Sequence, residues 1–360
     1  WLVTKENNKI VLNSVYKIGF VDADKISYSL LEKNNINEIL VINNSDNKIY
    51  GQNYNSIVIA PLKVYDKING YLFTARVKEN NFDDDEIKSV EAFANYASVA
   101  LENAMLIKKS IEKERLEKEL DVAREIQRKI LPLKTPKYDN LEISALFIPA
   151  FEVGGDYYDF FELDNNNLGF VVADVSGKGI SAAFIMAQVE GVFESLSKMI
   201  SSPKDILIKV NEILIRNLGR KNFVTAIYGK LNFDSGKLTV ARAGHTPILY
   251  LNKEKIFQLR PKGIGLGLDA KEIFQNSLEE MEINLEYNDI LVYYSDGIPE
   301  AKNNTNEDFG YKRLEEIVFK NRNNDTDTIT NEIMKELSLF TKDKPQHDDI
   351  TLLIFKWKKN

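Results

Sequence analysis

The chain has 360 residues, is 44% hydrophobic and 28% charged, and carries a formal net charge of -7, a profile that suits two or three domains with more than one buried core. It holds no cysteine and only two histidines, His245 and His347, which excludes disulfides, thiolate metal centres and a histidine-rich zinc site. Any bound metal must then be held by oxygen, as Mg²⁺ or Mn²⁺ is, and the acidic balance argues against nucleic acid as a partner.

No stretch reaches the roughly 18–20 apolar residues of a membrane span, and Trp1-Leu2-Val3-Thr4-Lys5 does not open a signal peptide. A cytoplasmic location is expected, with membrane attachment only if a segment upstream supplies it. A start at Trp1 rather than Met points to a piece of a longer protein.

Residues 1–104 mix short apolar strands with polar runs such as Asn43-Asn44-Ser45-Asp46-Asn47. Residues 56–62 and 71–77 read as neighbouring strands joined around Asn69-Gly70. Within Asn81-Phe82-Asp83-Asp84-Asp85-Glu86 an Asp caps a following helix, whose one face carries Ile87, Val90, Phe93, Ala94, Ala97 and Leu101. Residues 105–131 contain no Gly or Pro, and Leu116, Leu120, Ala123, Gln127 and Ile130 recur in alternating steps of four and three. Glu114–Lys118 and Glu125–Lys129 add favourable pairs on the outer face. This spacing predicts a helical linker, paired as a coiled coil in a homodimer; a single surface helix packed on a neighbour is the simpler alternative.

Residues 138–358 alternate short strands with two helical stretches. Helix 180–198 has Ile180, Phe184, Ala187 and Gly191 on one side, and helix 203–218 follows Pro203. Strands are expected at 223–231, 237–243, 247–251, 289–294 and 350–357, which suggests a layered α+β architecture.

The chemistry lies in where acids meet glycines. Phe170-Val171-Val172-Ala173-Asp174 runs into Val175-Ser176-Gly177-Lys178-Gly179, and Ile290-Leu291-Val292-Tyr293-Tyr294-Ser295-Asp296-Gly297 repeats the device. Gly154-Gly155-Asp156 precedes the first of these, and His347-Asp348-Asp349 precedes the closing strand. One strand-end Asp before Gly is ordinary turn chemistry. Several of them converging would repel one another unless cations lay between. Two hard cations about 3.5–4 Å apart bind phosphate and activate a water for in-line attack on phosphorus, so no protein nucleophile is required.

Five motifs stand in order: Glu152-Val153-Gly154-Gly155-Asp156-Tyr157-Tyr158-Asp159, Ala173-Asp174-Val175-Ser176-Gly177-Lys178-Gly179, Ala243-Gly244-His245-Thr246-Pro247, Tyr294-Ser295-Asp296-Gly297-Ile298-Pro299-Glu300-Ala301 and Asp348-Asp349-Ile350-Thr351. Together they resemble the bacterial branch of the PPM metal-dependent protein phosphatases, the branch of the stage II sporulation protein E and of stress-response phosphatases that regulate sigma factors. The resemblance implies an αββα sandwich of two antiparallel sheets over residues 138–358. It implies Asp174 as the bridge between two Mn²⁺ or Mg²⁺ ions, with Asp156 and the Val175 carbonyl at one ion. Asp296 and Asp348 would serve the other, with Asp349 as a rival to its neighbour. The substrate implied is phosphoserine or phosphothreonine on an anti-sigma-factor antagonist. The strand–strand–helix ending at about 57–103 resembles a GAF domain, which implies that residues 1–104 are a sensory module whose start is degenerate or cut short.

Other motif residues have plainer readings. His245 reads as a hydrogen-bonded structural residue, His347 as exposed beside a strand, Lys178 as a solvated loop lysine, and Tyr157 and Tyr158 as core and pocket wall. Eukaryotic relatives bind phosphate through an Arg near the start of the domain, and none stands out here, so affinity would rest on the metals and on protein contacts. A diguanylate cyclase is disfavoured because Tyr157-Tyr158 follow Gly154-Gly155-Asp156 where that family has an acid and Phe. The remaining alternative is a non-catalytic scaffold of the same fold, regulated through the linker. In the catalytic reading, a signal at 1–104 changes the linker, which shifts helix 180–198 behind the Asp174 loop.

Overall fold

The computed structural model describes the chain except for residues 7–8, 16–19, 44–53, 65–66, 78–79, 133, 220–221, 270, 343 and 360. The chain divides into two compact units, Trp1–Glu117 and Lys118–Asn360, and the division falls inside the expected linker.

The first unit is a five-stranded antiparallel sheet in the order β2-β1-β5-β4-β3. Its strands are β1 (Leu2–Glu6), β2 (Lys9–Ser14), β3 (Leu40–Asn43), β4 (Ser56–Val64) and β5 (Lys67–Arg76), with helix α1 (Phe20–Lys33) between β2 and β3. Val3, Ile26, Leu30, Ile57, Ile59 and Phe73 form the core that joins α1 to the sheet. The expected turn at Asn69-Gly70 is not one. Register runs from Ser56↔Arg76 to Val64↔Lys67, so both residues lie within β5. Gly70 is needed there because a Cβ would stand 2.3 Å from the Val3 carbonyl oxygen of the neighbouring strand. The polar run at Asn44–Asn47 lies outside the described residues.

Helix α2 runs unbroken from Asp84 to Ile130, across the expected border at 104. Asp83 and Glu86 cap it reciprocally: Glu86 N donates to Asp83 Oδ1 at 2.8 Å, and Asp83 N donates to Glu86 Oε2 at 3.0 Å. The buried side of its early part is narrower than the periodicity suggested. Ala94 packs on Ala60 and Leu62, Ser98 accepts a hydrogen bond from Lys63 N, and Phe93 is 72% exposed. Small residues win this face because they let helix and sheet backbones approach.

The second unit has two five-stranded antiparallel sheets. The first holds β7 (Tyr157–Asp164), β8 (Asn167–Val175), β9 (Val224–Asn232), β10 (Lys237–Ala243) and β13 (Glu280–Asn284). The second holds β6 (Leu141–Ile148), β11 (Ile248–Leu251), β12 (Ile256–Leu259), β14 (Ile290–Tyr294) and β15 (Ile350–Trp357). Strict alternation along β14 and β15 explains their apolar runs. Leu291, Tyr293, Leu353 and Phe355 face the other sheet, where Phe170 meets Tyr293 and Phe355 edge-on. Ile290, Val292, Leu352 and Ile354 face a second core shared with α6 (Tyr311–Lys320) and α7 (Thr326–Thr341). Strands covered on both faces need apolar residues at every position. The other outer layer is α3 (Ile180–Ser197) and α4 (Pro203–Leu214), with Phe193 stacked near Tyr157 and Tyr228.

Three differences from the sequence reading concern helices. The described residues hold five helices here rather than two stretches, the others being α5 (Lys271–Ser277), α6 and α7. Helix α4 stops at Leu214, short of 218. On α3 the buried stripe is Ala182, Met186, Val189 and Phe193, while Ile180 and Phe184 face solvent at 47% and 72% exposure.

Phe170→Ala removes the ring at the meeting point of the two sheets. It is expected to cost about 3–5 kcal/mol, read as a lower urea midpoint at unchanged slope.

Candidate active site

Three loops deliver the expected acids to one end of the two sheets. Asp174 ends β8, Asp296 follows β14, and Asp348 precedes β15; with the Val175 segment they line one cavity of about 580 Å³. Asp156 lies behind that wall and is 1% exposed. Its Oδ2 accepts a 2.6 Å hydrogen bond from the Thr351 hydroxyl. Val175 is also close, since a Cβ on Gly155 would stand 2.9 Å from the Val175 carbonyl oxygen.

The two adjacent acids before β15 are used differently. Asp349 turns inward and binds backbone: Oδ1 accepts from Ala150 N at 2.8 Å, and Oδ2 accepts from Gly155 N at 2.6 Å. Asp348 turns toward the cavity, where its Oδ2 is 3.0 Å from the Lys178 ammonium. Lys178 also donates to the His347 carbonyl oxygen, so this loop lysine is engaged rather than merely solvated.

Two glycines let these backbones close. A Cβ on Gly154 would lie 2.3 Å from Asp349 Oδ2, and one on Gly297 would lie 2.0 Å from the Asp349 carbonyl oxygen. Gly154 is gripped from outside as well: the Gln127 side-chain amide donates to Gly154 O at 2.7 Å and accepts from Gly154 N at 3.0 Å. Gln127 was expected on a coiled-coil seam. Its amide is instead committed within its own chain, and Leu116 on that seam is 54% exposed.

Crowding governs the electrostatics. Burial first, then Asp174 and Asp349, hold the Asp156 carboxyl well above the usual carboxylate range. Burial followed by Asp296, Asp348 and Asp349 raises Asp174 to about 7. Burial, Asp348 and Glu300 raise Asp296 to about 6, against the opposing pull of Lys178 and His347. His245 is buried, its Nδ1 is 2.8 Å from Thr225 Oγ1, and burial lowers its pKa to about 3. An imidazole neutral at physiological pH lacks the acidic imidazolium proton of a general acid, in keeping with a structural role.

The donor set fits hard divalent cations: it is all oxygen, and desolvated carboxylates repel one another with Lys178 as the ammonium beside them. Among the described residues, no three His, Asp or Glu side chains are arranged as a ready cage. Three of the acids have taken a protein partner: Asp156 the Thr351 hydroxyl, Asp348 the Lys178 ammonium, and Asp349 backbone amides.

Two arginines of the same cavity escaped sequence reading. Arg242, Arg260, His245, Thr246, Phe223 and Tyr311 share the cavity with the acids. Arg242 ends a β10 segment and Arg260 follows β12, and neither belongs to a recognisable phosphate motif. Burial first, and then Arg260, lowers the Arg242 pKa from its ordinary value.

Two outcomes are expected. Gly297→Ala forces a side chain against the Asp349 carbonyl and should both lower the melting temperature and displace the Asp349 segment. Asp174 and Asp296 bind protons more tightly folded than unfolded, so folding takes up protons between the ordinary 3.8 and about 7. Stability contributed by these groups is therefore present at low pH and lost as pH rises through that window. Thermal melts should show Mn²⁺ raising the melting temperature more at pH 8 than at pH 5.

A family profile described as stage II sporulation protein E (SpoIIE) matches residues 164–358, more than half of the chain. The phosphoserine phosphatase RsbU of Bacillus subtilis is 28% identical over 271 residues, covering 75% of this chain and 78% of that protein. Protein IcfG of Synechocystis is 30% identical over 267 residues, covering 65% of this chain but only 41% of IcfG. Among solved structures, the SiaA PP2C domain of Pseudomonas aeruginosa superposes with a TM-score of 0.62 at 20% identity, covering 69% of this chain and 99% of that one. The PP2C phosphatase domain and regulatory fragment of Bacillus subtilis SpoIIE gives a TM-score of 0.52 at 18% identity, covering 62% of this chain and 64% of that one. These two likenesses concern the fold, which is that of PP2C domains. The chain belongs to the stage II sporulation protein E family, and its C-terminal part is a PPM-type protein phosphatase domain.

Proposed function

We propose that this chain is a regulated, two-metal protein serine/threonine phosphatase acting on phosphoserine or phosphothreonine of an anti-sigma-factor-antagonist type of protein. The observation that carries it is the cavity whose one wall is Asp174, Asp296 and Asp348, with Asp156 buried behind. The relatives named phosphoserine phosphatase favour the same substrate chemistry.

Asp174 would bridge two ions, Asp156 and the Val175 carbonyl would hold one, and Asp296 and Asp348 the other. Bound Mn²⁺ or Mg²⁺ supplies a water made nucleophilic near neutral pH and positive charge against the phosphoryl oxygens. Asp349 reads as a positioning residue, because its carboxylate is spent on Ala150 N and Gly155 N and so fixes the segment that carries Asp156. Asp348, facing the cavity, is the better ligand of the two. Lys178 rests on Asp348 at the cavity, a place a bound cation would take over. His245 braces the turn between β10 and β11 through Thr225 and takes no part in proton transfer.

Residues 1–104 are proposed as a GAF-like sensory module, 105–131 as a helical linker that pairs two copies as a homodimer, and 138–358 as the phosphatase domain. The continuity of α2 and the grip of Gln127 on Gly154 support a route from linker to acids, two residues from Asp156. This is more direct than a route through α3. The protein is expected to work in the cytoplasm; among the described residues no helix is long and apolar enough to cross a membrane.

Asp174→Asn should lower Mn²⁺-dependent hydrolysis of p-nitrophenyl phosphate and of a phosphoserine protein by about a hundredfold or more, at or beyond what outer partners of metal ligands cost. Turnover that survives this substitution would remove Asp174 from the site. Wild-type protein inactive with every divalent ion and activator would favour the scaffold. Leu120→Ala should change turnover while leaving Mn²⁺ affinity, measured by calorimetry, unaltered.

A further inference from the structure

The cavity that holds the acids holds positive charge as well. Arg242 and Arg260 line it together with Asp174, Asp296 and Asp348. Among the described residues neither arginine makes a salt bridge, although their charges are near enough to disfavour each other. Unpaired guanidinium groups beside carboxylates need an explanation, because pairing with one of those acids would be the ordinary outcome.

Arg242 is held in place by backbone. Its Nε donates to the Pro261 carbonyl oxygen at 3.0 Å and its Nη1 to the His245 carbonyl oxygen at 2.6 Å. Both carbonyls are neutral, so the positive charge is oriented without being cancelled, and Nη2 has no hydrogen-bond partner among the described residues. Arg260 is held in a related way. Its Nη2 donates to the Gln258 side-chain oxygen, and the Gln258 amide donates to Glu315 on α6 at 2.5 Å. Two guanidinium groups are thus positioned from two sides and left with open donors toward one space.

We propose that Arg242 and Arg260 form the phosphate-recognition wall of this site and bind the phosphoryl oxygens of the substrate on the side away from the carboxylates. The inference rests on the phosphatase reading above, and it supplies the arginine that the sequence did not reveal near the start of the domain. The ligand class is a phosphate monoester dianion or the inorganic phosphate it releases. A carboxylate ligand fits less well. A phosphoryl group presents three oxygens in a tetrahedron, so it can meet cations at the acidic wall and guanidinium donors at the other together. A planar carboxylate has two oxygens and reaches one wall at a time. The planar fork of Arg also matches phosphate in a way a lysine ammonium does not. These are binding residues: with nothing to transfer, the guanidinium groups act on ground-state affinity for the phosphoryl group.

The test uses the full chain with Arg260→Gln, Arg260→Lys and Arg242→Lys. Arg260 is exposed, so Arg260→Gln should keep the wild-type melting curve; Arg242→Lys keeps charge at the half-buried position while losing the fork. Inorganic phosphate is titrated calorimetrically in Mg²⁺, and KM and kcat are measured for p-nitrophenyl phosphate with Mn²⁺. Arg260→Gln and Arg242→Lys are each expected to weaken phosphate binding about tenfold or more, the size of a lost charge-assisted hydrogen bond. KM should rise in parallel and kcat stay within about twofold, as for loss of uniform binding. Arg260→Lys should recover only part of the loss. Folded variants that bind phosphate as the wild type does, or that lower kcat at unchanged KM, overturn the proposal, as does wild-type protein that binds no phosphate. A wild type without turnover, whose phosphate binding still depends on both arginines, would sink the phosphatase reading and leave this one standing.

Discussion

Negative charge crowded into a dry corner is the constraint on which the catalytic unit turns. Asp156, Asp174, Asp296 and Asp349 are all harder to ionise than a free aspartate, burial being the first cause for each and neighbouring carboxylates adding to it. Left alone, such a cluster would drive its loops apart. Three of the acids are met by different counterparts: a hydroxyl for Asp156, an ammonium for Asp348 and backbone amides for Asp349. Only the amides are permanent features of the backbone. The other counterparts are side chains, and this difference sets Asp349 apart from Asp156 and Asp348.

The fold supplies the rigidity that crowding demands. β14 and β15 are buried on both faces, one against β8 and its sheet, the other against α6 and α7. A strand clamped in this way has little freedom to slide, so the residue at its end is fixed to the accuracy of the core. Glycines then remove the last obstacle to contact: with a side chain at 154 or 297 the Asp349 segment could not lie where it does. Packing in the core and chemistry at the rim are therefore one problem, solved by the same two strands.

Much of this was legible from residue types, and the failures have physical causes. Strand-end acids before glycine were readable because burial on both faces leaves an uninterrupted apolar run up to the Asp. The closing strand at 350–357 and the helix at Ile180 followed from the same patterns. The orientation of Asp348 against Asp349 was not readable, since it depends on amides almost two hundred positions away in sequence. Gln127 fell on a seven-residue repeat and looked like a seam residue; its real partner is a backbone group that no local period encodes. Asn69-Gly70 looked like a turn because small residues serve two purposes, and here close approach of Val3 was the one in force. Helices α6 and α7 were overlooked although Asp325 caps α7 by accepting from Thr328 N and Ile329, Ile333 and Leu337 repeat at helical spacing.

The arginines were invisible for a related reason: Arg242 and Arg260 come from two strands in different sheets and meet only at the cavity. Their chemistry divides the positive charge of the site into two kinds. Lys178 carries a point charge on a flexible stem and a glycine-flanked loop, resting on Asp348 at 3.0 Å. It can yield that place to a divalent ion with little rearrangement. Arg242 is fixed by the carbonyls of Pro261 and His245 and cannot follow the acids. A cavity with a movable cation on one wall and fixed cations on the other is asymmetric before any substrate arrives. An entering phosphoryl group would be drawn to the fixed wall first, while the acidic wall still repels it. In the proposed two-metal reading, both sides would attract it once divalent ions took the place of the lysine. On that reading phosphate recognition and metal occupancy would be coupled through Asp348 and Lys178, because Arg242 is tied to backbone while Lys178 is a point charge on a flexible stem.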